Sequence, residues 1–152
     1  DKPVAIRYPR ADVSLGNDQL IPLKLGKAQL IKEGKDFTVI ALGTMVLAAQ
    51  EAIEILNKEG LSGSLVNARF AAPLDIELIK DVCAKTKFVF TVEEGIKQEG
   101  FGSAIAQELD KHVVRIGLPF EFIPHGARGL LLETYGLTAL GIAADVRREI
   151  KK

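Results

Sequence analysis

The 152-residue chain has no tryptophan, one cysteine, one methionine and two histidines. With aromatics at 6%, it has little from which to build a stacking platform for carbohydrate or single-stranded nucleic acid. The lone Cys83 excludes an internal disulfide and a cysteine-rich zinc centre. It also makes a reducing, cytoplasmic compartment the default expectation. Charge of one sign is missing too: twenty basic residues face twenty acidic ones, for a net charge of zero. No broad basic field is available to hold nucleic acid or an anionic membrane. The longest apolar runs, VIALG and MVLAA, fall far short of the ~20 residues a membrane helix needs. The opening DKPVAIRYPR is charged and holds two prolines, unlike a signal peptide.

What is present is apolar residues spread along the whole length, 47% of the total. A folded chain of this size buries roughly 70% of its unfolded surface, so a substantial core is expected. Residues 1–10 read as an arm, with PVAIRY at 3–8 as a short strand, and residues 11–22 as a polar linker rich in turn formers. The compact domain is expected over residues 23–152.

Within it, strands and helices alternate. LGKAQLI at 25–31 reads as an edge strand, ended by the turn Glu33-Gly34-Lys35. FTVIAL at 37–42 is a near-continuous apolar run, the mark of a strand buried on both faces. Thr44 then starts a helix with Ala49, Ala52, Ile53 and Leu56 at helical spacing, stopping at Gly60. SLVNA at 64–68 is the next strand. Asp75 caps a second helix, with Ile76, Ile79 and Val82 or Cys83 on its buried face and Leu74 and Ile79 spaced for a hydrophobic staple. KFVFTV at 87–92 is a strand, a helix starts near Phe101 and ends near His112, and FEFIP at 120–124 is the last strand. Thr138 caps a final helix that turns Ile142, Val146 and Ile150 inward and ends in basic residues. This alternation predicts a three-layer α/β/α fold on a mostly parallel five-stranded sheet. The first strand is expected antiparallel, because a tight turn joins it to the second.

An open parallel sheet binds ligands at the carboxyl ends of its strands. Four short segments fall there. Gly43-Thr44 could hold a phosphate at a helix start. It lacks both a P-loop lysine and a three-glycine fingerprint, so a plain turn is the other reading. Glu93-Glu94 could form an acid–base pair, but adjacent strand residues face opposite ways, so one is expected to meet solvent or to cap the following helix. Asn67-Ala68-Arg69 and His125-Gly126 complete the four. Outside them, Gly100-Phe101-Gly102 is a glycine-flanked helix entry that reads as a site of close backbone packing. No carboxylate spacing pairs with His125 to make a metal site, and nothing like G-x-S-x-G is present. Cys83 reads as a small buried hydrophobe. Arg10, at a strand end after Pro9, suits bidentate phosphate binding, with a surface salt bridge as the alternative. These residues make a domain without a complete catalytic set of its own.

IRYPR at 6–10, VNARFAAPLD at 66–75, TVEEGIKQEGFGSAI at 91–105, LPFEFIPHG at 118–126 and YGLTALGIAADVRREI at 135–150 resemble the 1-deoxy-D-xylulose-5-phosphate synthase family in spelling and order. The resemblance covers nearly the whole chain. It implies a transketolase C-terminal-type domain preceded by a remnant of the pyrimidine-binding domain. A full enzyme of that family is a cytoplasmic homodimeric transferase using thiamine diphosphate and Mg2+. It joins pyruvate to glyceraldehyde 3-phosphate with loss of CO2 and feeds isoprenoid, thiamine and pyridoxal synthesis. The cofactor-binding domains do not fall in this sequence, so the chain alone is expected inactive, its role being to close the substrate side of the site and add to the dimer. One family site residue carries over: Arg10, which resembles the arginine holding the triose phosphate group. The family usually has glycine next, where this chain has Ala11 and Asp12. Arg69 reads as structural. Two other readings are a subunit of a split transketolase and a non-enzymatic interaction module of the same fold.

Overall fold

The computed structural model describes residues 3–9 and 22–152. Residues 1–2 and 10–21 lie outside that range, and with them Arg10 and all of the expected linker except Pro22. Residues 3–9 form no strand, and Val4, Ile6 and Tyr8 are exposed. Strand propensity there finds no partner among the described residues, and an unpaired strand is not stable.

The elements run β1 (Gln29–Lys32), β2 (Phe37–Ala41), α1 (Met45–Lys58), β3 (Gly63–Asn67), α2 (Ile76–Ala84), β4 (Phe88–Ile96), α3 (Phe101–Glu108), β5 (Val113–Leu118), α4 (Arg128–Thr134) and α5 (Ala139–Ile150). One five-stranded sheet has the order β1-β3-β2-β4-β5. The pairs β2–β3, β2–β4 and β4–β5 are parallel, and β1 is the antiparallel edge. The fold is therefore the expected α/β arrangement. β2, whose five residues are all buried, lies at its centre, as its near-continuous apolar run requires.

Two expectations are corrected. The antiparallel partner of β1 is β3, not β2. The turn after β1 crosses over the start of β3. There the Gly34 amide donates to Ser64 Oγ at 2.8 Å, and Ser64 Oγ donates back to the Gly34 carbonyl at 3.1 Å. A Cβ on Gly34 would lie 2.7 Å from the Gly63 Cα and closer still to its carbonyl carbon. The crossing therefore requires glycine at 34, where the two backbones approach, while Gly63 makes room for the Phe37 ring. The last strand is residues 113–118, not 120–124. VVRIGL aligns with β4 directly after α3, so the following FEFIP is left outside the sheet.

The core has two layers. On one face α1 and α5 cover Phe37, Val39, Leu65, Phe90 and Ile116. The Phe37 and Phe90 rings meet edge-to-face at 6.1 Å. The other face buries Ile40, Val66, Val89 and Val113 under α2 and α3, with Cys83 among them. Burial pushes the Cys83 thiol up to about 11, against a weaker opposing pull from Lys111. This is the inert, buried cysteine its helical position implies.

By length and composition the stretch Arg128–Ile150 would pass for a membrane-crossing helix, with mean hydropathy 1.2. The chain breaks it into α4 and α5 around Gly136, whose φ is +71°. Ile142, Ala143 and Val146 of α5 are buried on the α1 side of the sheet. Arg147 of α5 fixes the pair by donating to both Glu59 oxygens, at 2.9 and 2.5 Å.

Candidate functional site

β3 lies on one side of β2 and β4 on the other, so the crossovers diverge between β2 and β4. That switch point, at the carboxyl ends, is where a doubly wound sheet opens a crevice. Gly43, at φ +62°, turns the chain out of β2. Thr44 stands at the N-cap of α1 without capping it. Its hydroxyl instead donates to Glu94 Oε1 across the switch point at 3.0 Å. Arg128, at the start of α4, donates to Thr44 Oγ1 at 3.0 Å and pairs with Glu94 Oε1. Three elements thus converge on one carboxylate. The Glu94 and Arg128 side chains keep 21% and 40% of their surface, so the cluster is open to solvent on one side.

Glu93 points the other way. It is 5% exposed, and its carboxylate accepts from the Phe101 amide at 3.1 Å and the Gly102 amide at 2.7 Å. These are orphan donors of the first turn of α3, which a carboxylate satisfies while meeting the positive end of the helix dipole. A Cβ on Gly100 would collide with the Ile96 carbonyl oxygen and sit 2.7 and 2.9 Å from the two Glu93 oxygens, which together explain the glycine there. The two glutamates therefore do separate work, as alternation along β4 requires, and neither is a free acid–base partner of the other.

The remaining segments stay apart from this cluster. Asn67 Oδ1 accepts from the Arg69 amide at 3.0 Å, and Arg69, at φ 59°, donates to Gln29 Oε1 at 2.6 Å. Arg69 thereby ties the end of β3 to the start of β1. His125 is exposed in the loop after β5. His112 is not on a helix but in the loop between α3 and β5, because α3 ends at Glu108 and Leu109 turns back into the core. Arg7 is exposed, and Arg10 lies outside the described residues.

Sequence reasoning missed Arg128, because α4 went unseen. That helix has seven residues, an alanine at its N-cap and an internal Gly129, so it carries no start signal. The one available sign was the run Leu130-Leu131-Leu132 ending before Gly136.

Chemically the cluster is a balanced ion pair braced by a hydroxyl. No group of three or more His, Cys, Asp or Glu that could hold a metal occurs among the described residues. Glu94 faces the only cation of the cluster, and a diphosphate would have to displace that carboxylate. The residues present do not fit thiamine diphosphate with Mg2+.

The fold and this switch point define a doubly wound α/β domain. The family model for the transketolase C-terminal domain matches residues 26–142, and the chain belongs to that family. Among curated proteins it is similar to the 1-deoxy-D-xylulose-5-phosphate synthase of Heliobacterium modesticaldum, at 42% identity over 95% of this chain and 24% of that protein. It is similar as well to those of Gloeobacter violaceus (39%, covering 97% and 24%) and Desulforudis audaxviator (42%, covering 99% and 25%). The chain thus spans about a quarter of the length of these relatives. A solved split-gene transketolase, described as an inactive beta4 tetramer, superposes with a TM-score of 0.81 at 35% identity, over 86% of this chain and 44% of that one. A 2-oxoglutarate:ferredoxin oxidoreductase from Magnetococcus marinus shares the fold, with a TM-score of 0.60 at 18% identity.

Proposed function

We propose that this chain is the C-terminal part of a 1-deoxy-D-xylulose-5-phosphate synthase acting in the cytoplasm. The observation that carries the reading is the match of nearly the whole chain, at 39–42% identity, to synthases of three bacteria. The complete enzyme joins pyruvate to glyceraldehyde 3-phosphate and releases CO2. The preceding portion supplies thiamine diphosphate and Mg2+ binding. The domain described here is a scaffold: it closes the substrate side of the site, contributes to a homodimer, and places the arm that carries Arg10 against the triose phosphate.

The split-gene transketolase, at a TM-score of 0.81, supports a second reading in which the cofactor-binding portion is a separate subunit. The domain's role is the same in both.

The test is steady-state kinetics of the intact enzyme. Arg10→Ala raises the KM for glyceraldehyde 3-phosphate and lowers kcat/KM about ten- to hundredfold, the worth of a charge-assisted bidentate contact. Reaction with pyruvate alone is little changed, because pyruvate carries no phosphate. Arg10→Lys recovers only part of the loss. Arg69→Ala lowers the melting temperature rather than triose phosphate affinity. An unchanged KM in Arg10→Ala overturns the phosphate assignment, and an intact protein without synthase activity overturns the reading as a whole.

A further inference from the structure

The segment from Phe120 to Leu130 holds large apolar side chains out in solvent. Phe122 is fully exposed at 103%, Phe120 is 72% exposed and Leu130 61%. Each phenylalanine carries roughly 150–250 Å2 of surface, and soluble domains keep contiguous apolar patches small. The segment is nevertheless held in place. Arg128 is tied to Thr44 and Glu94 at the switch point, and Tyr135 Oη donates to Glu121 at 3.5 Å. A segment fixed on its polar side and apolar on its outer side is a preformed contact surface.

Its position selects the occupant. The segment leaves the carboxyl end of β5. The chain comes into the sheet at that same end, since β1 runs antiparallel to β3 with Gln29 opposite Asn67. The incoming strand is clamped there: the Ala28 amide donates to Asp75 Oδ2 and Lys27 Nζ to Asp75 Oδ1, both at 3.0 Å. Anything joined ahead of this domain is delivered to the carboxyl end of the sheet. A covalent tether makes its contact with Phe120 and Phe122 intramolecular, at a high effective concentration that a second copy does not have. The curated relatives are about four times the length of this chain, which covers 24% of them.

We propose that Phe120, Phe122 and Leu130 form the docking face on which the preceding, cofactor-binding portion of the protein seats, across the carboxyl end of the sheet. This rests on the reading that the chain is part of a longer synthase. The experiment is hydrogen exchange on the intact protein at two concentrations about a hundredfold apart, with synthase activity measured on the same samples. Amides of residues 120–127 exchange about tenfold or more slowly than in an exposed loop, equally at both concentrations. Combining Phe120→Ser with Phe122→Ser restores fast exchange there and leaves the protection of β2 unchanged, because neither ring belongs to the core. Fast exchange in the parent protein overturns the proposal. Protection that disappears on dilution overturns it in favour of a second copy as occupant. An inactive protein with a protected segment defeats the synthase reading and leaves the docking face standing; an active one with an unprotected segment does the reverse.

Discussion

Glu93 shows how a single buried charge-bearing residue is made tolerable. Its two oxygens receive the amides of Phe101 and Gly102, and Gly100 withholds the Cβ that would crowd them. A buried polar group stripped of partners costs about 1–3 kcal/mol. Glu93→Gln keeps one acceptor oxygen and turns an NH2 toward the other amide, so it is expected to destabilise by about 1–3 kcal/mol, and Glu93→Ala by more. Glu94→Gln touches a solvent-open ion pair, worth about 0–1 kcal/mol. Urea titration of the three variants checks the order; equal losses at positions 93 and 94 overturn it. The adjacent pair was legible in the sequence as two opposite-facing residues, with solvent or a helix cap left open for one of them. Its partner Arg128 was not, because an arginine followed by glycine carries no helix-start signal.

At the scale of elements, the Asp75 clamp joins the approach to β1 to the start of α2. Burial works to raise the Asp75 carboxyl, but the Lys27 ammonium and the Ala28 amide outweigh it and leave it below the usual carboxylate value. A carboxyl depressed in the folded state contributes stability that is present above its unfolded value near 3.9 and is lost as pH falls through that value toward the folded one. The Lys27 ammonium is raised, chiefly by its hydrogen bond to Asp75. Its share is present below about 10.4 and is lost as pH rises beyond it. The stability difference between the parent protein and Asp75→Asn is therefore expected to be constant near neutrality and to shrink below about pH 4. Denaturant titrations from pH 3 to 7 measure it; a difference that does not depend on pH removes the ion pair from the account. Asp75 read as an N-cap in the sequence and holds that position, yet it makes no side-chain cap bond. Its carboxylate serves a strand 47 residues earlier in the chain, which no local pattern encodes.

For the whole molecule, the switch point holds a paired carboxylate and guanidinium and lacks a phosphate-binding loop. The 152-residue chain by itself is accordingly expected to bind no thiamine diphosphate. Calorimetric titration with the cofactor and Mg2+ checks this, and micromolar binding, about −8 kcal/mol, overturns it. The sequence by itself determined the layer architecture, the central place of β2, the helices α1, α2 and α5 and the first four strands. Each rests on a local signal: a near-continuous apolar run, a 3.6-residue period, a cap or a closing glycine. Tertiary structure alone decided which apolar runs became strands and which strands became neighbours. FEFIP and VVRIGL each set apolar residues around one charge, but a strand exists only where a partner presents free backbone groups in register, and β4 offered that register to residues 113–118. β1 passed beyond β2 to pair with β3, and the turn after it crosses the start of β3 where Gly34 lets the two backbones meet. Arg128 joined Thr44 and Glu94 across 84 and 34 residues of chain because the parallel strands end together, a proximity that spacing along the sequence does not contain.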